Sequence, residues 1–167
     1  MEPFKIHILG CGSALPTLRH NPSAQVVEIR EKQFLVDCGE GTQLQMRRSK
    51  IGFNRLCAVF ISHIHGDHCF GLIGMLSSFG LLGRTMPLAI YAPKELKPVL
   101  DMLLETFCND FDYEIQFHVV DTKKRAVIYE DRSLTVESIP LKHREPCAGF
   151  LFREKPTLPH IRRDMID

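Results

Sequence analysis

The stretch Val59–His68, VFISHIHGDH, gathers three of the chain's eight histidines and an aspartate within six positions, directly after an apolar run. That run, LCAVFIS (Leu56–Ser62), is continuous and bounded by turn residues, the pattern of a central strand covered on both faces. If the chain stays extended past Ser62, residues i and i+2 point the same way, with Cα atoms about 6–7 Å apart. His63 and His65 then present two imidazoles to one cation, each within reach of the roughly 2.0–2.1 Å bond that zinc makes to nitrogen. Gly66 lets the chain turn, and Asp67 and His68 fall where an apolar segment, CFGLIGMLSSFGLLG (Cys69–Gly83), is expected to begin a helix. A helix N-terminus carries partial positive charge, which favours an ionised Asp67 and a neutral His68. Metal binding requires those protonation states. Adjacent side chains diverge, so Asp67 and His68 are read as serving a second ion beside the first. The other single histidines, His7, His20, His118 and His160, are read as ordinary core or surface residues.

Strand-like runs precede this stretch at Phe4–Leu9, Ala24–Arg30 and Gln33–Asp37. GCGSALP (Gly10–Pro16) has the glycines of a phosphate cradle but no following Lys-Ser/Thr, and reads either as such a cradle or as a plain turn. Downstream, Pro87–Ala92 reads as a strand, and Glu95–Phe107 as a helix. That helix places Leu96, Val99, Leu100, Leu103, Leu104 and Phe107 on one face, with Pro98 near its first turn. Further strands are expected at Tyr113–Val120, Ala126–Glu130, Ser133–Leu141 and Gly149–Glu154. Residue for residue this is an α/β chain: a mixed sheet with helices packed mainly on one face.

The 167 residues are sized for one domain, and 44% apolar with 25% charged residues describes a chain with a core. A net charge of +1 gives no bulk argument for a nucleic-acid partner. None of the six cysteines forms a Cys-x-x-Cys pair, and MEPFKIHILG has no basic lead-in to an apolar core. A cytoplasmic protein with reduced thiols is expected. The most apolar segment falls short of the roughly 20 residues of a membrane span, so no membrane association is expected.

The His-x-His-x-Asp-His order resembles the signature of metallo-β-lactamase-fold hydrolases. Within that superfamily the chain is similar to the ribonuclease Z family, through ILGCGSALPT, FLVDCGEGTQLQMRR and FISHIHGDHCFGLIGML. The resemblance implies an αββα sandwich, of which these residues are largely the first αβ half. It implies a single domain over 1–167, with about 153–167 at the root of a tRNA-gripping arm. It implies an endoribonuclease that removes the 3′ trailer of precursor tRNA, working as a homodimer with two Zn²⁺ per complete site. His63, His65 and His143 would hold the first ion, and Asp67 and His68 the second. Asp67 would also orient the nucleophile or accept its proton, the catalytic role in a two-metal hydrolysis. Asp37 is read either as a hydrogen-bond partner of a ligand histidine or as the residue shaping the turn before Gly39.

Two departures stand out. Pro16–Asn21, PTLRHN, keeps only the Pro and Asn of the family's Pro-x-Lys-x-Arg-Asn loop. A bridging carboxylate and a further histidine are also unassigned, since His160, Asp164 and Asp167 follow His143 too soon. The 167-residue form alone is therefore expected to be nearly inactive, and to leave apolar surface that pairs with another copy or with a missing half. Other readings are a metallo-β-lactamase-fold hydrolase of phosphodiesters, thioesters or lactams, and a non-catalytic paralogue that binds RNA or dimerises.

Overall fold

The structure is a computed structural model and describes residues 4–108 and 110–156. Strands β1 (Lys5–Gly10), β2 (Ala24–Ile29) and β3 (Lys32–Val36) form an antiparallel meander. β4 (Leu56–Phe60), β5 (Leu88–Ala92) and β6 (Ile115–Val119) then extend β3 in parallel, giving a six-stranded sheet in chain order. Parallel neighbours need crossovers. These are supplied by α1 (Thr42–Arg48), by the short α2 (Gly66–Cys69) with α3 (Leu72–Leu81), and by α4 (Leu96–Phe107).

The helices share one core with one face of the sheet: Met46, Leu72, Met75, Leu76, Phe79, Leu96 and Leu100 pack against Val26, Leu35, Val59 and Ile90. α4 meets the sheet through a narrower stripe than its sequence predicts. Leu96 and Leu100 are buried, whereas Val99 and Phe107 are 49% and 69% exposed. α1 is an element the sequence reading did not identify.

The remaining strands, β7 (Ala126–Glu130), β8 (Leu134–Leu141) and β9 (Cys147–Glu154), form a separate three-stranded antiparallel sheet. The six-stranded sheet is mixed and carries its helices on one face, as expected, and these three strands stand apart from it. The reason lies in β3 and β4, which are apolar on both faces. Helices cover one face, so a second apolar layer must cover the other. β8 alternates buried and half-buried residues, and its Leu134 and Val136 face Val27, Ile29, Phe34 and Phe60. The aromatic rings of this second core interlock: Phe60 stacks on Tyr91 at 4.8 Å and meets Phe150 at 5.3 Å, while Phe34 lies 5.8 Å from Phe152. On the outer strand β1, Ile6 and Ile8 are 60% and 62% exposed. No helix among the described residues is long and apolar enough to cross a membrane. All six cysteines are free thiols, and burial pushes Cys38 up to about 12.

Asp131 ties the second sheet to the first. Its carboxylate accepts from Lys32, from the Tyr129 hydroxyl and from the Ser133 and Leu134 amides. Burial alone would raise its pKa, but these donors overcome burial and bring it down to about 2. A depressed carboxylate adds stability above its unfolded pKa of about 3.9 and loses it as pH falls through the folded value. The D131N variant is expected to be less stable than the parent by about 1–3 kcal/mol at pH 7. That difference should shrink between about pH 4 and pH 2, as read by urea unfolding across that range.

Candidate metal centre

The predicted residues converge at the carboxyl ends of the parallel strands, where open α/β sheets place their ligands. Backbone bonds hold the chain extended past β4: Ile61 N–H donates to Tyr91 C=O and Ala148 N–H to Ser62 C=O. This carries His63 and His65 to the rim. His143 reaches the same place from the turn between β8 and β9. One ring nitrogen from each of His63, His65 and His143 lies within 4.8 Å of the others. His63 Nε2 is 3.0 Å from His65 Nδ1, close to the roughly 3.3 Å between ligands on a tetrahedral ion with 2.0–2.1 Å bonds. His63 is buried, while His65 and His143 are exposed. Burial, then the nearby rings of His68, His65 and His143, lowers the His63 pKa to about 4. It is therefore neutral near pH 7, the form that ligates metal. Three imidazole nitrogens so placed are a donor set that suits a divalent cation.

Asp67 and His68 lie beside this cluster, with His68 Nε2 3.5 Å from Asp67 Oδ2. The helix expected to start here is broken: α2 is a four-residue turn, and α3 starts only at Leu72. The electrostatics therefore come from other groups. Burial would raise the Asp67 carboxyl, but the Ala14 amide, which donates at 2.7 Å, and His68 hold it below the ordinary range. Ala14 sits in the Gly10–Pro16 loop, so this loop is a turn whose amide is engaged by the chain's own carboxylate.

His68 departs from expectation. Burial lowers its pKa, but its 2.7 Å contact with Asp37 outweighs burial and raises it. With Nδ1–H donated to Asp37, Nε2 is directed at Asp67.

Asp37 adopts a left-handed φ of 57° after β3. Its carboxylate accepts from Ser62 N–H at 2.9 Å, from Ser23 Oγ at 3.1 Å and from His68. Ser62 Oγ in turn lies 3.0 Å from His63 Nδ1 and 3.3 Å from His68 Nδ1. Ser62, Ser23 and the Ala14 amide were not identified from sequence. Only Ser62 had a visible signal there, as the polar residue ending an apolar run. His7 hydrogen-bonds Glu28 and His118 stacks on Tyr91; neither belongs to the three-histidine group. His160, Asp164, Asp167 and most of the 153–167 segment lie outside the described residues.

Three layers of this order, with a His-x-His-x-Asp-His turn at the strand ends, define a metallo-β-lactamase-fold protein. The chain belongs to the family described as Anti-Pycsar protein Apyc1, which matches residues 4–159. Its homologues include Ribonuclease Z of Bacteroides fragilis, 58% identical over all 167 residues and covered over 55% of its own length. The chain thus spans about half the length of the curated relatives it matches. Among solved structures, the short form of human tRNase Z aligns with a TM-score of 0.80 at 29% identity, covering 89% of this chain and 64% of that one. The metallo-β-lactamase fold protein YhfI of Bacillus subtilis aligns at 0.68 with 18% identity, over 89% and 56%. The likeness to ribonuclease Z read from FLVDCGEGTQLQMRR holds.

Proposed function

We propose that the protein carrying this chain is a zinc-dependent endoribonuclease that removes the 3′ trailer from precursor tRNA. The observation that carries this reading is the convergence of His63, His65 and His143, in a chain 58% identical to a ribonuclease Z. His63, His65 and His143 would hold one zinc, and Asp67 and His68 a second. Zinc, when bound, supplies Lewis acidity and lowers the pKa of water toward neutrality. The chain's own residues prepare for this. Asp37 fixes His68 through Nδ1 and leaves Nε2 facing the site. Ser62 holds His63 the same way. Asp67, kept ionised, orients the attacking water or takes its proton.

The 167 residues offer three donors to one ion and two to the other, and catalytic zinc usually takes three protein ligands. By themselves they are therefore expected to cleave poorly. We also propose that the protein works as a homodimer in the cytoplasm, where its six free thiols stay reduced. A single domain over 1–167, its last residues rooting a tRNA-binding arm, belongs to the same reading.

The full-length protein, zinc-loaded and then stripped by a chelator, is to be tested on precursor tRNA, bis-p-nitrophenyl phosphate and a thioester. Zinc-dependent release of the trailer with a 5′-phosphate is expected. Cleavage of the thioester with precursor tRNA left intact would overturn the reading. A second reading, a hydrolase of this fold with another substrate, is favoured by the match to the Apyc1 family, whose description is not that of a tRNA-processing protein. The same panel separates the two.

A further inference from the structure

Phe70 ends the turn that carries Asp67 and His68, yet the residue is 72% exposed. Its ring nonetheless leans on the turn itself. Phe70 N–H donates to Gly66 C=O at 2.9 Å, and the ring lies so close over Gly66 that a Cβ there would come within 2.3 Å of it. One side of the ring thus lies against Gly66, while the residue as a whole stays largely exposed. The ring forms one wall of a cleft of about 440 Å³, together with Leu15, Pro16, Pro22, His65 and Asp67. His65 and Asp67 belong to the candidate metal centre, so an occupant of the cleft extends directly into that centre.

The chemistry of the lining selects the occupant. Among the described residues no lysine or arginine lines this cleft, and its one further polar wall is Glu40. An exposed aromatic ring between apolar walls suits the π-face of a nucleobase, and a carboxylate accepts from an exocyclic amine. We infer that Phe70 is the stacking platform for an unpaired base adjoining the scissile phosphodiester, with the cleft as its subsite. This rests on the nuclease reading above and specifies where its substrate lies.

The test uses the full-length protein and two single-stranded RNAs: one bearing all its bases, the other abasic at both nucleotides flanking the cleavage point. Phe70→Leu is expected to bind the base-bearing RNA about 5–150-fold more weakly, the range for one lost stack, and the abasic RNA as the parent does. Phe70→Tyr is expected to restore affinity, since an aromatic face and not mere bulk is needed. F70W places an indole in the cleft, where these 167 residues have none, and its signal is read as the difference between the variant and the parent. Its emission is expected to be quenched by base-bearing RNA and not by inorganic phosphate. Equal loss on both RNAs, loss on neither, or no quenching overturns the subsite. If F70L releases the trailer at the parent's rate and affinity, the subsite fails while the nuclease reading stands. If precursor tRNA is never cleaved yet quenching and the base-dependent loss persist, the nuclease reading fails and the base subsite stands.

Discussion

Replacing His63 with alanine is expected to slow phosphodiester hydrolysis by the full-length protein more than about 10³-fold and to empty the first metal position. The size follows from the geometry. His63 is the buried member of the cluster, and its ring lies 4.6 Å from those of His65 and His143 and 4.1 Å from that of His68. Its ring thus adjoins both the three-histidine group and His68. Metal ions supply several kcal/mol of charge stabilisation to hydrolysis, and each 1.36 kcal/mol is a tenfold change in rate. Elemental analysis should show zinc falling in H63A, while circular dichroism stays near that of the parent because the two cores do not involve this ring. An H63A protein that keeps its zinc and its rate would remove the basis for the metal assignment.

The second large effect concerns folding. Gly71 follows the ligand turn and donates its N–H to Cys38 C=O at 2.9 Å, while Cys38 N–H donates to His68 C=O at 2.8 Å. The Asp37–Gly39 segment and the start of α3 are thus held backbone against backbone. A Cβ on Gly71 would lie 2.1 Å from Gly39 O and 3.0 Å from Cys38 O. Neither atom belongs to a flexible side chain, so the main chain itself must move. Overpacking costs about 1–3 kcal/mol and occasionally more; with backbone on both sides, G71A is expected at about 3 kcal/mol or above in urea unfolding. Because Asp37 and His68 flank the contact, zinc stoichiometry should fall with stability. Gly52→Ala is the matched control: a Cβ there meets nothing within 4 Å, and a change within about 0.5 kcal/mol is expected.

These two cases show which parts of the molecule were legible in the sequence. The extended i, i+2 spacing of His63 and His65 is a local rule, and a local rule sufficed to place them together. Strand positions were legible for the same reason: alternation and apolar runs are read within a few residues. What depended on distant partners was not. α1 has too short a pattern to announce itself, and β7–β9 form their own sheet because of what β3 and β4 leave uncovered. The Ala14 amide reaches Asp67 across the fold with no side chain to signal it. His143 was placed by family resemblance alone. The surroundings of His68 were not legible either, because its partner Asp37 comes from the end of β3 and the terminus beside it is only four residues long.

The three-histidine group also has a mechanical side. His63 and His65 hang from the first sheet, and His143 from the second. A cation gripped by all three would rivet the two layers at their rim, closing a long loop of chain much as a covalent cross-link does. Stripping the ion should then quicken amide hydrogen exchange in β8 and β9 more than in β2–β4, so that the histidine rim and the seam between layers loosen together.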